Sequence, residues 1–270
     1  MDIQSVLQQL DQLFAQKRLS EVEPFLDRQL QQAIEEGDAA SSLTLMNEMA
    51  GFYRSISQSE KSLAAAEDAL NAIRQMNLSG TMAHATTLLN AATAYRAAGD
   101  LTRALSLYQE AFTIFQELRV DQEYPMAGLM NNMSQVYQAL NRHEDAIFCL
   151  NRALEILTAL SDAQMEIATT HSNLALSLLS MGKIEEARAH LAEAAALFEA
   201  GSGPRDAHYG AALAGLAELS YRTGDYAQAV NYYERALSEI RSSFGENDSY
   251  QVTKKNLELA KKAWEENKGK

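Results

Sequence analysis

The sequence is poor in proline and cysteine, and each shortage excludes a class of structure. Only three prolines occur in 270 residues, so few positions forbid a helix. The single cysteine, Cys149, excludes an intrachain disulfide and a metal site with four cysteine ligands. Ala, Leu, Gln, Glu and Arg are abundant instead, and because these residues favour helices, the composition predicts an all-α chain.

Three further signals are missing: a secretory leader, a membrane span and an excess of basic residues. Residues 1–5 carry no basic region followed by an apolar one. No apolar run reaches the roughly 18 residues that a membrane helix needs. The net charge of −13 disfavours nonspecific nucleic-acid binding, which requires Lys and Arg. We therefore expect a soluble, cytoplasmic protein with neither a membrane nor a nucleic acid as its partner.

The sequence does contain an internal repeat with a period of 41–42 residues. Similar segments begin nine residues before a recurrent turn position. The turn residues are Ser57, Gly99, Asn141, Gly182 and Gly224. A fixed period of this length is typical of proteins built from stacked helical units, so the repeat takes precedence over any local interpretation.

Each repeat has the features of a helix hairpin. Gly or Asn at the turn permits the left-handed conformation that ends a helix. Asp100 and Asp225 directly follow turn glycines and can cap the second helix. Of the ten positions that lie five and twelve residues beyond the turns, nine are alanine, and a separation of seven places each pair on one helix face. Small residues there let two antiparallel helices approach closely.

This pattern resembles the tetratricopeptide repeat. The small residue on the first helix, the aromatic residue four positions before the turn, the turn Gly and the two alanines are all present. The usual period is about 34 residues, and the longer period is similar to that of kinesin light chains and many free-standing bacterial proteins. The resemblance implies a right-handed α-solenoid, a superhelix of about six antiparallel helix hairpins plus a C-terminal capping helix.

We predict that the whole chain is one continuous domain. Residues 1–37 are expected to form a degenerate hairpin that turns near Lys17, with Pro24 in the first turn of its second helix. Residues 38–244 contain five repeats, and residues 245–270 form the capping helix.

The capping helix has an apolar seam with members seven residues apart, Tyr250, Leu257 and Trp264. Terminal repeats of a solenoid need a polar outer face, so the helix as a whole is expected to be a solubilising cap. The alternative, which stays open, is that the seam docks a partner or a second copy of the chain and forms a homo-oligomer.

Signatures of catalysis and metal binding are absent from the sequence. The Gly201–Pro204 segment lacks the Lys and Ser or Thr of a phosphate loop, and His143-Glu144 lacks the second zinc ligand, since position 147 is isoleucine. The five histidines fall at different positions of the repeat, and Cys149 is expected to be a buried structural thiol. We predict no enzyme, no cofactor and no metal site.

The resemblance places ligand binding on the first helix of each hairpin, where unburied side chains line a concave groove. Asn recurs at one groove position in three consecutive repeats although it costs stability in mid-helix. A carboxamide both donates and accepts, which suits an extended peptide backbone. The alternative is that these side chains bond between helices and only shape the groove. The predicted binding residues of this polar, neutral kind are Asn47, Thr86, Asn90, Thr93, Asn131, Asn132, Gln135, Thr169, Ser172 and Asn173.

Three arginines near the turns complete the predicted site, Arg54, Arg96 and Arg222. A guanidinium can bind an acidic peptide or a carboxylate through two hydrogen bonds, or can pair with a surface glutamate of the chain itself. The sequence thus predicts a non-catalytic scaffold that holds a peptide or protein client. Two alternatives remain: a regulatory sensor whose superhelix changes shape around a short signalling peptide, and a self-assembling structural module.

Overall fold

The computed structural model describes residues 1–201, 207–244 and 248–267, and within them it contains thirteen α-helices and no strand. The helices form six consecutive pairs followed by a last helix, as the repeat predicts. Their bounds are α1 (Ile3–Ala15), α2 (Leu19–Glu35), α3 (Ala39–Ser55), α4 (Ser59–Gln75), α5 (Met82–Ala97), α6 (Leu101–Glu117), α7 (Tyr124–Ala139), α8 (His143–Thr158), α9 (Gln164–Ser180), α10 (Ile184–Ala200), α11 (Ala207–Arg222), α12 (Tyr226–Phe244) and α13 (Asp248–Asn267).

The predicted turn residues all adopt the left-handed conformation, and this confirms the repeat. Their φ angles are 60°, 88°, 57°, 76° and 83° in chain order. After α5, the amide of Gly99 donates to the carbonyl of Arg96 at 3.1 Å and that of Asp100 to Tyr95 at 3.0 Å. This pair of bonds satisfies the last carbonyls of the helix. The Asp100 carboxylate then accepts from the amide of Arg103 at 2.9 Å and caps α6.

The repeated alanines lie where helices meet. All nine are fully buried, and the serine that takes the tenth position, Ser62, is 2% exposed. Its hydroxyl donates to the carbonyl of Ala50 at 2.8 Å, so the polar side chain is accommodated by a bond to the facing helix. The register of small residues therefore sets the close packing within the hairpins, as predicted from their spacing.

The chain forms two compact units, Met1–Asn132 and Met133–Lys270. The N-terminal unit begins with the expected degenerate hairpin, which turns at Lys17 with a φ of 56°. Pro24 lies in the second turn of α2, however, because that helix already begins at Leu19. The prediction that Pro24 occupies the first turn is wrong by one turn, and the helix tolerates the loss of one backbone bond.

Tyrosines connect neighbouring hairpins of the N-terminal unit. The hydroxyl of Tyr53 on α3 donates to Glu23 of α2 at 3.1 Å, and that of Tyr95 on α5 donates to Glu67 of α4 at 2.7 Å. The pKa of Tyr53 rises to about 12 because of burial and this bond. First helices also touch one another directly, since α3 contacts α5.

The C-terminal unit ends in the predicted solitary helix, and its seam packs within the chain. Leu257 is buried with Val230 and Tyr233 of α12, and Trp264 packs against the same cluster. The seam is thus partly covered by α12 of the same chain. Homo-oligomerisation itself stays a prediction, as does the single continuous domain.

No helix within the described ranges combines the length and the apolar character that crossing a membrane requires.

Candidate functional site

All thirteen predicted binding residues lie on first helices of the pairs. In the N-terminal unit, α3 carries Asn47 and Arg54, and the middle of α7 carries Asn131 and Asn132. The members on α5 are Thr86, Asn90, Thr93 and Arg96. In the C-terminal unit, the members are Gln135, Thr169, Ser172, Asn173 and Arg222. Thr86 is exposed, whereas Asn90, Asn132, Gln135 and Thr169 are half-buried.

The side-chain nitrogen of Asn47 on α3 makes hydrogen bonds within the fold. Asn47 Nδ2 donates to the carbonyl of Leu43 at 3.1 Å and to Thr87 Oγ1 on α5 at 3.2 Å. Its Oδ1 is buried and has no hydrogen-bond partner among the residues described. In the N-terminal unit Asn131 Nδ2 similarly donates to the carbonyl of Ala127 at 3.3 Å. Asn47 Nδ2 thus connects α3 to α5, while Asn47 Oδ1 keeps its capacity to accept a hydrogen bond.

Two predicted groove residues of the C-terminal unit are buried instead of accessible. Ser172 and Asn173 are each 5% exposed because neighbouring helices cover them. Ser172 Oγ is satisfied by the carbonyl of Ala168 at 3.0 Å. Gln138 reaches from α7 to α9, donating to the backbone carbonyl of Asn173 at 2.8 Å and to Ser177 Oγ at 2.9 Å. The expectation of solvent-facing side chains is therefore corrected here, and a binding role for them stays a prediction.

Four side chains of the N-terminal unit form what we name the Tyr108 cluster: Arg54, Thr93, Arg96 and Tyr108. Tyr108 comes from α6 and is fully buried, and its hydroxyl lies 2.8 Å from Thr93 Oγ1. Since Thr93 donates to the carbonyl of Leu89, the Tyr108 hydroxyl is the donor to Thr93. Burial raises the pKa of Tyr108, and the hydrogen bond to Thr93 and the two nearby guanidinium groups oppose that rise.

The arginines of this cluster are not neutralised. No described carboxylate oxygen lies within the 4.0 Å of an ion pair from either guanidinium. Arg96 Nε is buried, and no described atom accepts its hydrogen. Burial lowers the pKa of Arg54; the neighbouring Tyr108 raises it, whereas the like charge of Arg96 lowers it further. Two half-buried cations thus face each other with a tyrosine hydroxyl beside them.

A second group, the Tyr233 cluster of the C-terminal unit, consists of Glu218, Arg222 and Tyr233, and two of its three members occupy repeat positions equivalent to those of the Tyr108 cluster. Tyr233 and Tyr108 both lie nine residues after their turn glycines, and Glu218 and Thr93 both lie six residues before them. The Glu218 carboxylate accepts from the Tyr233 hydroxyl at 2.9 Å and from Arg222 Nε at 2.7 Å. Arg222 therefore takes the alternative left open by the sequence, a pair with a glutamate of its own helix.

A pair of neighbouring histidines was not predicted from the sequence, because the two residues fall at different positions of the repeat. His171 on α9 and His190 on α10 lie with their Nδ1 atoms 2.7 Å from each other. Burial lowers the pKa of both side chains, and Glu193 and Glu186 oppose the shift at His171 and His190 respectively. Across the described part of the chain, no group of three or more His, Cys, Asp or Glu side chains is placed to hold a metal ion.

Cys149 is the buried thiol that the sequence predicts. It is 5% exposed on α8, and burial together with the charge of Asp145 raises its pKa to about 11. The thiol is therefore protonated near neutral pH and is a poor nucleophile.

The comparisons with known proteins agree with this architecture. A family model described as tetratricopeptide repeat matches residues 83–159 and 166–238, together more than half of the chain. No curated protein sequence matches the chain significantly. The solved structures that it resembles include BtubC (BKLC) from P. vanneervenii, with a TM-score of 0.69 and 17% identity over 84% of this chain and 91% of that one.

Two other structures cover nearly the whole chain. The apo form of RapI has a TM-score of 0.72 and 14% identity, covering 98% of this chain and 72% of RapI. NprR, solved in complex with its cognate peptide NprX, has a TM-score of 0.69 and 16% identity, covering 98% of this chain and 74% of NprR. At such identities the likeness concerns the fold, and it confirms the predicted all-α helical-repeat class.

Proposed function

Because the chain belongs to the tetratricopeptide repeat family, we propose that it is a non-catalytic scaffold that binds a peptide or protein segment on its first helices. The likeness to NprR, which was solved with a bound peptide, supports this proposal. The absence of a nucleophile, cofactor loop or metal cluster from the sequence motifs is consistent with a binding module.

The observation that carries the proposal is a set of buried polar atoms without hydrogen-bond partners. Asn47 Oδ1, Arg96 Nε and Asn173 Nδ2 are such atoms within the described residues, and all three belong to first helices. His143 Nδ1, at the start of a second helix, is a further one. More than about 90% of buried polar groups in folded proteins are paired, and leaving one unpaired costs about 1–3 kcal/mol. In the N-terminal unit, Asn47 Oδ1 and Arg96 Nε support the proposal of a surface whose hydrogen bonds are completed by a ligand.

The chemistry of these helices suits an extended main chain. A peptide offers alternating N–H donors and C=O acceptors, and asparagine can meet either. Asn90 and Asn132 of the N-terminal unit are half-buried at equivalent repeat positions and are placed to meet such groups. A surface that already has its fold in place loses little entropy when it binds.

The test compares two pairs of asparagines. Random dodecapeptides are displayed and selected against the unaltered protein, and the affinity of the best peptides is measured for Asn90→Ala/Asn132→Ala. We expect binding to weaken about tenfold, since each hydrogen bond is worth about 0.5–1.5 kcal/mol. The control is Asn151→Ala/Asn231→Ala, which removes two exposed asparagines of second helices.

Three results would contradict the proposal. The first is that no peptide is enriched on the unaltered protein. The second is that the two double variants bind equally well. The third is that Asn90→Ala/Asn132→Ala unfolds at a temperature several degrees lower, which would show that these side chains hold the helices together.

A further inference from the structure

We propose that Arg54 and Arg96 of the Tyr108 cluster bind a carboxylate group of the peptide ligand. This inference rests on the proposed function and names the chemistry that the ligand must carry. It makes the N-terminal unit selective for acidic segments, although the protein as a whole carries a net charge of −13.

The two guanidinium groups lie close enough for Arg96 to act electrostatically on Arg54, and for both to act on Tyr108. Both arginines lie three residues before their turns, on the adjacent helices α3 and α5. The Asn47–Thr87 hydrogen bond ties these helices together. One helical turn before Arg54 stands Gly51, where an added Cβ would meet only the Arg54 Nη2 atom, at 4.0 Å. The space at Gly51, beside Arg54, is therefore open.

The two positive charges of Arg54 and Arg96 favour the binding of an anion. Other arginines of this acidic chain have found carboxylates, such as Arg142 with Asp145 at 2.7 Å and Arg152 with Glu155 at 2.8 Å. Arg54 and Arg96 have none among the described residues, and both are half-buried. Two like charges in a partly desolvated place destabilise each other, and an anion between them removes that cost.

The chain itself shows how a carboxylate fits this arrangement. In the Tyr233 cluster the carboxylate of Glu218 accepts from a tyrosine hydroxyl and from an arginine Nε at the same time. The equivalent residue of the Tyr108 cluster is Thr93, whose side chain is too short and uncharged. A ligand carboxylate would replace what Glu218 provides, and charge-assisted bonds of this kind are about twice as strong as neutral ones.

Helix dipoles alone do not account for the arginines. A cation in the last turn of a helix complements the negative end of the dipole, and this explains one arginine on α3 and one on α5. It leaves the Arg96 Nε hydrogen without an acceptor. A free phosphate has suitable charge, but the neutral polar residues Asn90 and Thr86 on the same helix favour a peptide that carries the anion.

The experiment selects displayed random dodecapeptides on three proteins. These are the unaltered chain, Arg54→Gln/Arg96→Gln, and the control Arg142→Gln/Arg152→Gln, which loses the same charge from two arginines already paired with carboxylates. Glutamine is the substitute because Gln138 occupies the same repeat position in α7. One acidic peptide from the first selection is then titrated against all three proteins, with and without inorganic phosphate as competitor.

We expect Asp and Glu to be enriched at least twofold on the unaltered protein and on the control, and not on Arg54→Gln/Arg96→Gln. The acidic peptide should bind the latter at least about tenfold more weakly, as the loss of charged hydrogen bonds implies. The thermal midpoint of Arg54→Gln/Arg96→Gln should be equal to that of the unaltered protein or higher, because a repulsion is removed.

Each other outcome overturns the inference. Enrichment of peptides without acidic bias leaves the proposed function standing and rejects the carboxylate site, whereas no enrichment at all rejects both. Equal loss of acidic bias in the control assigns it to overall charge. Displacement of the acidic peptide by phosphate together with a missing acidic bias identifies a free anion as the ligand. A lower thermal midpoint of Arg54→Gln/Arg96→Gln assigns the arginines to stability.

Discussion

The Tyr108 and Tyr233 clusters share the repeat positions of their tyrosines and of Thr93 and Glu218, and they are in opposite electrostatic states. In the C-terminal unit, Glu218 neutralises Arg222 and accepts from the tyrosine hydroxyl. In the N-terminal unit, Thr93 takes the position of the glutamate, and two arginines are left without a carboxylate. One cluster contains a carboxylate of the chain, and the other contains none among the described residues.

The repeat therefore determines the position of a polar side chain. It does not determine whether that side chain is paired with another residue of the chain. Shared positions build a hairpin in both units, since alanines and turn residues serve packing everywhere. The side chain six residues before the turn changes from threonine to glutamate, and the arginine lies three residues before the turn in one cluster and two in the other. A one-residue exchange in either direction therefore tests which cluster is structural and which is open to a ligand.

The largest effect is expected for Thr93→Glu. The new carboxylate would reproduce the place of Glu218, accept from Tyr108 and neutralise Arg96. Binding of an acidic dodecapeptide should weaken by at least about tenfold, since the site is then filled from within. The thermal midpoint should rise because the two arginines gain a counter-ion. Titration with labelled peptide and a thermal scan measure the two effects.

Thr113→Glu provides the matched control, because it adds the same charge to an exposed position of α6. This variant should keep nearly the affinity of the unaltered protein. If Thr93→Glu binds acidic peptide as tightly as Thr113→Glu does, the Tyr108 cluster is not the binding site.

A smaller effect is expected from removing the tyrosine hydroxyls. Tyr233 donates to a carboxylate, whereas Tyr108 donates to a neutral threonine. Hydrogen bonds to charged groups contribute about 1.5–3 kcal/mol and neutral ones about 0.5–1.5 kcal/mol. Tyr233→Phe should therefore lower the free energy of unfolding by about 1 kcal/mol more than Tyr108→Phe does. Urea unfolding of the two variants measures this difference, and equal losses would refute the contrast between the clusters.

The smallest effect concerns pH and again separates the two units. His171 and His190 of the C-terminal unit have pKa values below the ordinary 6.5, chiefly because of burial. The folded state thus binds these protons less readily than the unfolded state, so the stability that the neutral pair provides is complete above pH 6.5 and is lost as the pH falls below it. The urea midpoint should drop between pH 7 and pH 5.5.

Replacing the pair removes this sensitivity. His171→Gln/His190→Gln should show a smaller drop over the same pH interval, and amide exchange should place the difference in α9 and α10. A drop that is as large in the variant would assign the pH dependence to other groups.

Much of the fold could be predicted from the sequence because it repeats. The turn residues and the buried alanines follow from local rules that act the same way in every copy. The candidate site could be predicted only in part, because the use of a polar side chain depends on its neighbours in space. The position in the repeat placed Arg54 and Arg96 near the turns. Only the structure shows that no described carboxylate pairs with them.

Other features were not predicted from the sequence, because they too depend on neighbours in space. In the sequence, Tyr108 is one more large residue on a second helix. The structure shows that its hydroxyl lies near Thr93 and Arg96. Ser172 and Asn173 were expected to be accessible, since sequence does not show how closely the next hairpin covers α9. His171 and His190 lie 19 residues apart on the two helices of one hairpin, which is a signal that a search within hairpins would have found.

The most direct test of the open carboxylate site is the NMR resonance of the Arg96 Nε–Hε group during titration with an acidic dodecapeptide obtained by selection. In the free protein this hydrogen has no acceptor among the described residues. Our account predicts that the Hε resonance moves downfield and exchanges more slowly with solvent as peptide binds. An unchanged Arg96 resonance at saturating peptide, with binding verified independently, would contradict it.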